Sequence, residues 1–307
     1  MNKAEFVFTA IDVLGKKPQN AVTFPGIVSI KDIRYSNKGE NKDTCGDLYY
    51  KPEILNDEKK HPIIVYIRGG GFIKGDKGFR VSISEYYANE GYFVFTVNQR
   101  LPPKYPFPDS ISDCADALNF LEELSLKYPF DLDNIVVTGD SSGAYIASYL
   151  SALKFNDGLS QALGCPEIKV NIKAAMYMCG IYDIEVLVKN SSLFGVIPQT
   201  ARLLTGFDFK KDFSNLKDYK YSEYLSTSNF VNEKWCPSFV FWADDDIICI
   251  EQGEPLSKKL INAGVMTETY HRKGLIHNHC FHLNFTLDKY AGECMGESVK
   301  FLKKVCK

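Results

Sequence analysis

Ser141 lies in the run Gly139-Asp140-Ser141-Ser142-Gly143, a G-x-S-x-G pattern set between the apolar run Asn134–Thr138 and a segment with helical spacing. A strand that turns sharply into a helix needs small residues on both sides of the bend, because side chains at Gly139 and Gly143 would meet neighbouring backbone. Such a bend lifts a serine hydroxyl above a sheet. It also aims the helix N-terminus, with its unpaired N–H groups, at any negative charge that develops there. The chemistry this implies is nucleophilic attack on an acyl carbon. The alternative is a chance G-x-S-x-G, against which the flanking strand and helix patterns argue.

A second glycine-rich stretch, Arg68-Gly69-Gly70-Gly71-Phe72, directly follows the apolar run Pro62–Ile67. Three glycines in a row make sense where backbone must come very close to a partner. The expected use is an oxyanion hole from the Gly70 and Gly71 N–H groups, completed by the N–H of Ser142. A flexible turn and a phosphate-binding loop are the alternatives, but neither G-x-x-x-x-G-K-[ST] nor G-x-G-x-x-G is satisfied with its proper sequel.

A serine nucleophile needs a base and an acid that orients it. The apolar run Ser238–Trp242 leads into Ala243-Asp244-Asp245-Asp246, ahead of a helical segment starting near Pro255. A carboxylate belongs at such a strand end, and Asp244 and Asp246 both qualify; simple helix capping is the alternative without chemistry. Of five histidines, His271, His277, His279 and His282 fall in one short stretch, and His61 looks superficial. His277, His279 and His282 also form a rival set of zinc ligands. They lack an accompanying H-E-x-x-H, and no metal or other cofactor is expected.

The elements that must position these residues alternate. Pro62–Ile67, Tyr92–Val97, Asn134–Thr138, Ile172–Met178 and Ser238–Trp242 are short, β-branched or aromatic, and apolar on both faces, as buried parallel strands are. Thr267–Arg272 reads as a further strand. Between them, helices are expected over Phe79–Glu90, Asp109–Lys127 and Pro255–Ala263. A C-terminal helix carries the stripe Ala291, Cys294, Met295, Ser298, Val299, Leu302 and Val305. Val22–Tyr35 and Asp47–Tyr50 read as antiparallel edge strands. The fold class is therefore α/β, a mostly parallel sheet with helices on both faces joined by right-handed crossovers.

Residues 183–234 break this rhythm. They are rich in Asn, Ser, Lys and aromatics, with a helical fragment at Pro198–Leu204 and no convincing strand. The reading is a lid or cap insertion within a single domain spanning residues 1–307, with Phe194, Phe207, Phe209, Phe213 and Tyr219 shaping a substrate pocket. A solvated decoration is the alternative. Asp109, Asp113 and Asp116 read as a solvated helix start without chemistry.

The composition is ordinary for a folded protein, with 45% hydrophobic and 24% charged residues. With 36 Lys+Arg against 38 Asp+Glu, the net charge of −2 argues against a nucleic-acid partner. No apolar stretch is long enough for a membrane span. The N-terminal MNKAEFVFTAIDVLGKK lacks the uninterrupted apolar core of a secretory leader. Nine widely spaced cysteines without C-x-x-C read as reduced thiols in a cytoplasmic protein, with Cys280 set apart because it sits among histidines.

Taken together, these motifs resemble the α/β-hydrolase superfamily, and more closely the hormone-sensitive-lipase-like and acetyl-esterase group of carboxylesterases. That group carries H-G-G-G-F, Y-R-L-A-P-E-x-x-F-P and G-D-S-A-G. The counterparts here are Arg68–Phe72, Gln99–Pro108 and Gly139–Gly143, and Asp47-Leu48-Tyr49 resembles the group's D-x-Y. The resemblance implies a serine hydrolase of carboxylic esters, with Ser141 as nucleophile and short acyl or acetyl esters as substrates. The group's G-x-x-D-x-L pattern selects Asp246 as the acid. For the base, gap-free counting from Gly264 lands on His277, whereas the H-x-F signature fits His279-Cys280-Phe281 and makes His279 the preferred residue. Two features depart from the group: Arg68 stands where a histidine braces the oxyanion loop, and Ser142 replaces alanine. An amidase, peptidase or aryl-formamidase-like enzyme on the same triad is an alternative. A binding protein that has lost catalysis is another, favoured by Arg68. The expected partner is a small-molecule ester, and a homodimer is compatible with the reading.

Overall fold

The computed structural model describes residues 2–190, 195–244, 246–274 and 279–306. In chain order the elements are α1 (Lys3–Gln19), β1 (Val28–Arg34), β2 (Cys45–Tyr50), β3 (His61–Ile67), α2 (Val81–Asn89), β4 (Phe93–Val97), α3 (Asp109–Asn119) and α4 (Leu121–Leu124). There follow β5 (Phe130–Asp140), α5 (Ser142–Phe155), α6 (Leu159–Leu163), β6 (Ala174–Met178), α7 (Ile184–Asn190), α8 (Val196–Thr205), β7 (Ser238–Ala243), α9 (Gly253–Asn262), β8 (Thr267–Arg272) and α10 (Lys289–Val305).

The strands form one eight-stranded sheet in the order β1-β2-β4-β3-β5-β6-β7-β8. β1 pairs antiparallel with β2, and β2 antiparallel with β4; every other pairing is parallel. Strand side chains alternate between two apolar cores. Ile63, Val65 and Ile67 of β3 join Ile135 and Val137 of β5 and Ala175 and Tyr177 of β6 on one face, packed under α3, α5 and α9. Ile64, Tyr66, Val136, Met176, Phe239 and Phe241 point to the other face, against α2 and α10. This two-residue period is why both faces of each run read as apolar: each strand is covered twice.

The expected strands and helices are present, with shifted ends. The first strand starts at Val28 rather than Val22 because Pro25 and Gly26, the latter at φ 83, make a turn ahead of it. The helix expected over Phe79–Glu90 opens as a tight 3₁₀ turn, Lys77–Arg80, before α2. The one expected over Asp109–Lys127 breaks at Phe120 into α3 and α4. The whole stripe from Ala291 to Val305 on α10 is buried. Within residues 183–234 the described part holds α7, α8 and short 3₁₀ turns, and no strand.

Two readings need correction. Asp113 is not part of a solvated helix start but fully buried. Its carboxylate accepts from the Arg100 backbone N–H at 2.8 Å and from the Arg100 guanidinium at 2.8–2.9 Å, while Asp109 bonds the same guanidinium at 2.9 Å. A guanidinium fork taken out of water needs such a partner. The N-terminal segment, which sequence reading left without an element, is α1. Its start is fixed by a capping box in which Asn2 accepts from the Glu5 N–H and Glu5 accepts from the Asn2 N–H.

The first turn of α5 rests against the end of β3. A Cβ on Gly139 would lie 2.5 Å from the Ile67 carbonyl oxygen, and one on Gly143 would come closer still. Gly143→Ala should therefore lower the unfolding free energy by at least about 3 kcal/mol, the upper range for overpacking. Urea denaturation measures this, and an unchanged midpoint would refute the contact.

Candidate active site

β5 ends at Asp140 and α5 begins at Ser142, so the whole change of direction is carried by Ser141. Its backbone takes φ 53 and ψ −123, a conformation unfavourable for a residue with a side chain. The Ser141 N–H donates to the Met178 carbonyl at 2.9 Å, which ties the bend to the end of β6. Ser142 is the first residue of α5, so its N–H is among those an α-helix leaves without an internal acceptor.

His279 stands between Ser141 and Asp246. Its Nε2 is 2.9 Å from Ser141 Oγ, and its Nδ1 is 2.9 Å from Asp246 Oδ2 and 3.1 Å from Oδ1. Asp246 is buried in the turn after β7, where its Oδ1 accepts from the Ile248 and Cys249 N–H groups at 3.0 and 2.9 Å. Burial alone would raise the Asp246 pKa; the charge of His279 and its hydrogen bond, helped by the two amides, hold it below the ordinary carboxylate value. For His279, burial lowers the pKa, but attraction to Asp246 and their hydrogen bond outweigh it and leave the imidazole above its ordinary value.

The structure therefore brings Ser141, His279 and Asp246 into one hydrogen-bonded row. Asp244 is elsewhere, half-exposed and 2.5 Å from His271 Nε2. His277, the alternative base, and Phe194 lie outside the described residues. His282 does not join a histidine metal set with His279. It is fully buried, its ring edge-on to Phe241 and Phe281, and among the described residues neither ring nitrogen has a hydrogen-bond partner. Burial pushes its pKa down to about 3, so it is a neutral imidazole. Among the described residues, a group whose donor atoms do approach one another is Asp246, Cys249 and His279.

Gly70 and Gly71 take φ 143 and 58, conformations that suit glycine. Gly69 passes so close to Asp140 and Ser141 that a side chain there would clash with the Asp140 carboxylate. Phe8 of α1 lies over Gly71 in the same way. Gly70, Gly71, Ser141, His279 and Cys280 line one cavity, with Gln19 and Arg80 adding polar groups. A second, apolar cavity meets it at Gly71 and Ser141. Phe8, Phe72, Ile184, Leu187, Ile197, Leu204, Phe209 and Phe213 are among its walls. Of the aromatics expected to shape a pocket, Phe209 and Phe213 face this cavity; Phe207 and Tyr219 pack behind them, ring against ring.

Arg68 lines neither cavity. It is buried beneath the glycine loop, where Nη1 donates to the carbonyls of Lys74 at 2.6 Å and Gly69 at 3.2 Å. The guanidinium thus braces the loop through its carbonyls.

Sequence reading missed a buried ion pair beside the bend. Asp140 accepts from Arg80 Nε at 2.8 Å, Arg80 Nη2 at 2.6 Å and the Tyr66 hydroxyl at 2.9 Å. Burial would raise its pKa, but the Arg80 charge and these bonds take it down to about 2. Arg80 also donates from Nη1 to Gln19 Oε1 at 2.9 Å, which joins α1 to the network. The sequence signal was an acid between Gly139 and Ser141, but its partner lies sixty residues away. Cys280, which stands among the histidines in the sequence, has its Sγ 3.4 Å from His279 Nε2.

The family model described as BD-FAE matches residues 47–260, more than half of the chain. The chain belongs to the BD-FAE family. This BD-FAE chain has the α/β-hydrolase fold. It is 32% identical over 107 residues to Esterase LipI of Mycobacterium tuberculosis, covering 34% of this chain and 33% of LipI. It is 31% identical over 153 residues to the probable carboxylic ester hydrolase LipM of the same organism, covering 50% and 34%. The chain thus matches about a third of the length of these curated relatives. Among solved structures, esterase B from Lactobacillus rhamnosis superposes with a TM-score of 0.83 at 19% identity, covering 99% of this chain and 95% of that one. Among the described residues, no helix is long and apolar enough to cross a membrane.

Arg80→Met should destabilise this BD-FAE protein by about 3–5 kcal/mol, because it leaves the Asp140 carboxylate buried without a counter-charge. Arg80→Lys should recover part of the loss. Equilibrium unfolding in urea decides it, and a parent-like Arg80→Met would show the pair to be dispensable.

Proposed function

We propose that the protein is a serine hydrolase that cleaves carboxylic esters through an acyl-enzyme. Ser141 Oγ attacks the acyl carbon while His279 Nε2 takes its proton. Asp246 holds the imidazole with Nδ1–H directed at itself and stabilises the imidazolium. The N–H groups of Gly70, Gly71 and Ser142 receive the oxyanion. His279 returns the proton to the leaving alcohol, and water admitted by the same base releases the acid. The observation that carries the reading is the row Ser141–His279–Asp246, joined at 2.9 Å on either side of the imidazole.

The two cavities suggest how an ester lies. The apolar one fits the acyl group, and we propose that α1 together with residues 183–234 covers it as a cap. The bulk of Phe72, Phe209 and Phe213 supports short acyl groups, from acetyl to butyryl. The polar cavity with Gln19 and Arg80 fits a hydroxylated alcohol such as a sugar. The cysteines described are free, eight of them buried, which suits a reducing compartment such as the cytoplasm.

Ser141→Ala should abolish turnover of p-nitrophenyl acetate while leaving circular dichroism and thermal unfolding near those of the parent; retained turnover would reject Ser141. His279→Ala should lower kcat by about 10³-fold or more, as loss of a triad base does. An acyl series should peak between acetyl and butyryl and decline by decanoyl, and a peak at decanoyl would overturn the size argument.

The pH dependence follows from the base. His279 must be unprotonated to accept from Ser141, so kcat/KM rises with pH through its pKa. Attraction to Asp246 places that limb above the ordinary imidazole value of about 6.5. Asp246→Asn should move the limb to lower pH and reduce the plateau; a limb unmoved by the substitution would show that Asp246 does not face the base.

A further inference from the structure

We propose that Asp246, Cys249 and His279 form an inhibitory site for a thiophilic divalent cation of the zinc class, built on the back of the proposed triad. Donor atoms of the three side chains lie within 4.8 Å of one another. A carboxylate oxygen, a thiolate sulfur and an imidazole nitrogen are the donors zinc takes, at about 2.0–2.3 Å each, with water completing a tetrahedron. Two of the ligands belong to one turn, since the Cys249 N–H donates to Asp246 Oδ1 at 2.9 Å, and the third is already bonded to that carboxylate.

The site has its own approach. Asp246 and Cys249 line a cleft that Ser141 does not line, and Asp244, Glu251 and Glu254 are on its walls. Carboxylates around a cleft raise the local concentration of a cation. A cation entering this cleft meets Asp246 and Cys249, and His279 is bonded to the far side of that carboxylate.

The consequence for the base follows from proton accounting. At rest, Nδ1 carries the imidazole proton and Nε2 presents a lone pair to Ser141. The cation needs the Nδ1 lone pair, so the neutral ring must carry its proton on Nε2 instead. Nε2 then has no lone pair to take the Ser141 proton. The Cys249 thiol releases one proton to solvent as its sulfur binds, the Asp246 oxygen exchanges a hydrogen bond for the metal, and nothing is oxidised or reduced. The loss of turnover rests on the ester-hydrolase reading; the binding of the cation does not.

Cadmium ion added alone to the metal-free full chain tests this. One equivalent should give a thiolate-to-cadmium charge-transfer band in the ultraviolet, with turnover of p-nitrophenyl acetate falling in step, and a chelator should restore both. Cys249→Ala should lose the band and need about 10-fold or more cadmium for half-inhibition, the scale on which metal sites respond to a lost partner. Cys280→Ala should keep the band and the response. Ser141→Ala should bind cadmium with the parent's band although it turns nothing over. If the parent hydrolyses no ester, the esterase reading fails, and the band in parent against Cys249→Ala still decides the site. Inhibition of Cys249→Ala at the parent's concentration, or a saturated band with turnover intact, would overturn the proposal.

Discussion

The close approach of the first turn of α5 to the end of β3 is the constraint on which the rest depends. Gly139 and Gly143 both press on the Ile67 carbonyl, and only the missing side chains permit it. With the helix seated there, Ser141 has no room to follow either the strand or the helix and takes its strained intermediate conformation. The glycine loop begins just beyond Ile67, so the same contact fixes how Gly69 passes beside Asp140 and where Gly70 and Gly71 stand. Hydroxyl and backbone cradle share one anchor, and a shift in one moves the other.

Charge is distributed around that anchor in pairs. Asp140 and Arg80 act on His279 in opposite senses, the one favouring its protonation and the other opposing it. What remains is burial, which lowers the proton affinity of the ring, and Asp246, whose attraction and hydrogen bond together outweigh it. His282 adds no charge above about pH 3, because burial among aromatic rings keeps it neutral. An interior holding several ionisable groups thus exerts a simple field on the His279 imidazole.

Much of the architecture was legible because it follows from local pattern. Doubly covered strands must be apolar throughout, and α10 shows its buried stripe at a period no strand could share. The bend at Ser141 was legible because glycine on both sides has few other uses. The choice between Asp244 and Asp246 was not settled by residue type, since both follow the same strand; it came from a family pattern, and the two carboxylates in fact meet different histidines. Other features were illegible for a physical reason. Asp113 and Arg80 are charged residues whose burial depends on partners brought near by folding, and composition marks both as surface groups. The place of α1 over Gly71 is also tertiary: a short amphipathic segment says that one face is covered, not by what.

The cavity walls carry one more consequence. They are built largely from α1, α7 and α8 and the turns after them, none of which holds a strand in register. Exchanging Ile197 or Leu204 alters the room at the apolar end without touching the glycines that clamp helix to sheet. The room at the apolar end and the placing of the Ser141 hydroxyl are thus set largely by separate parts of the chain.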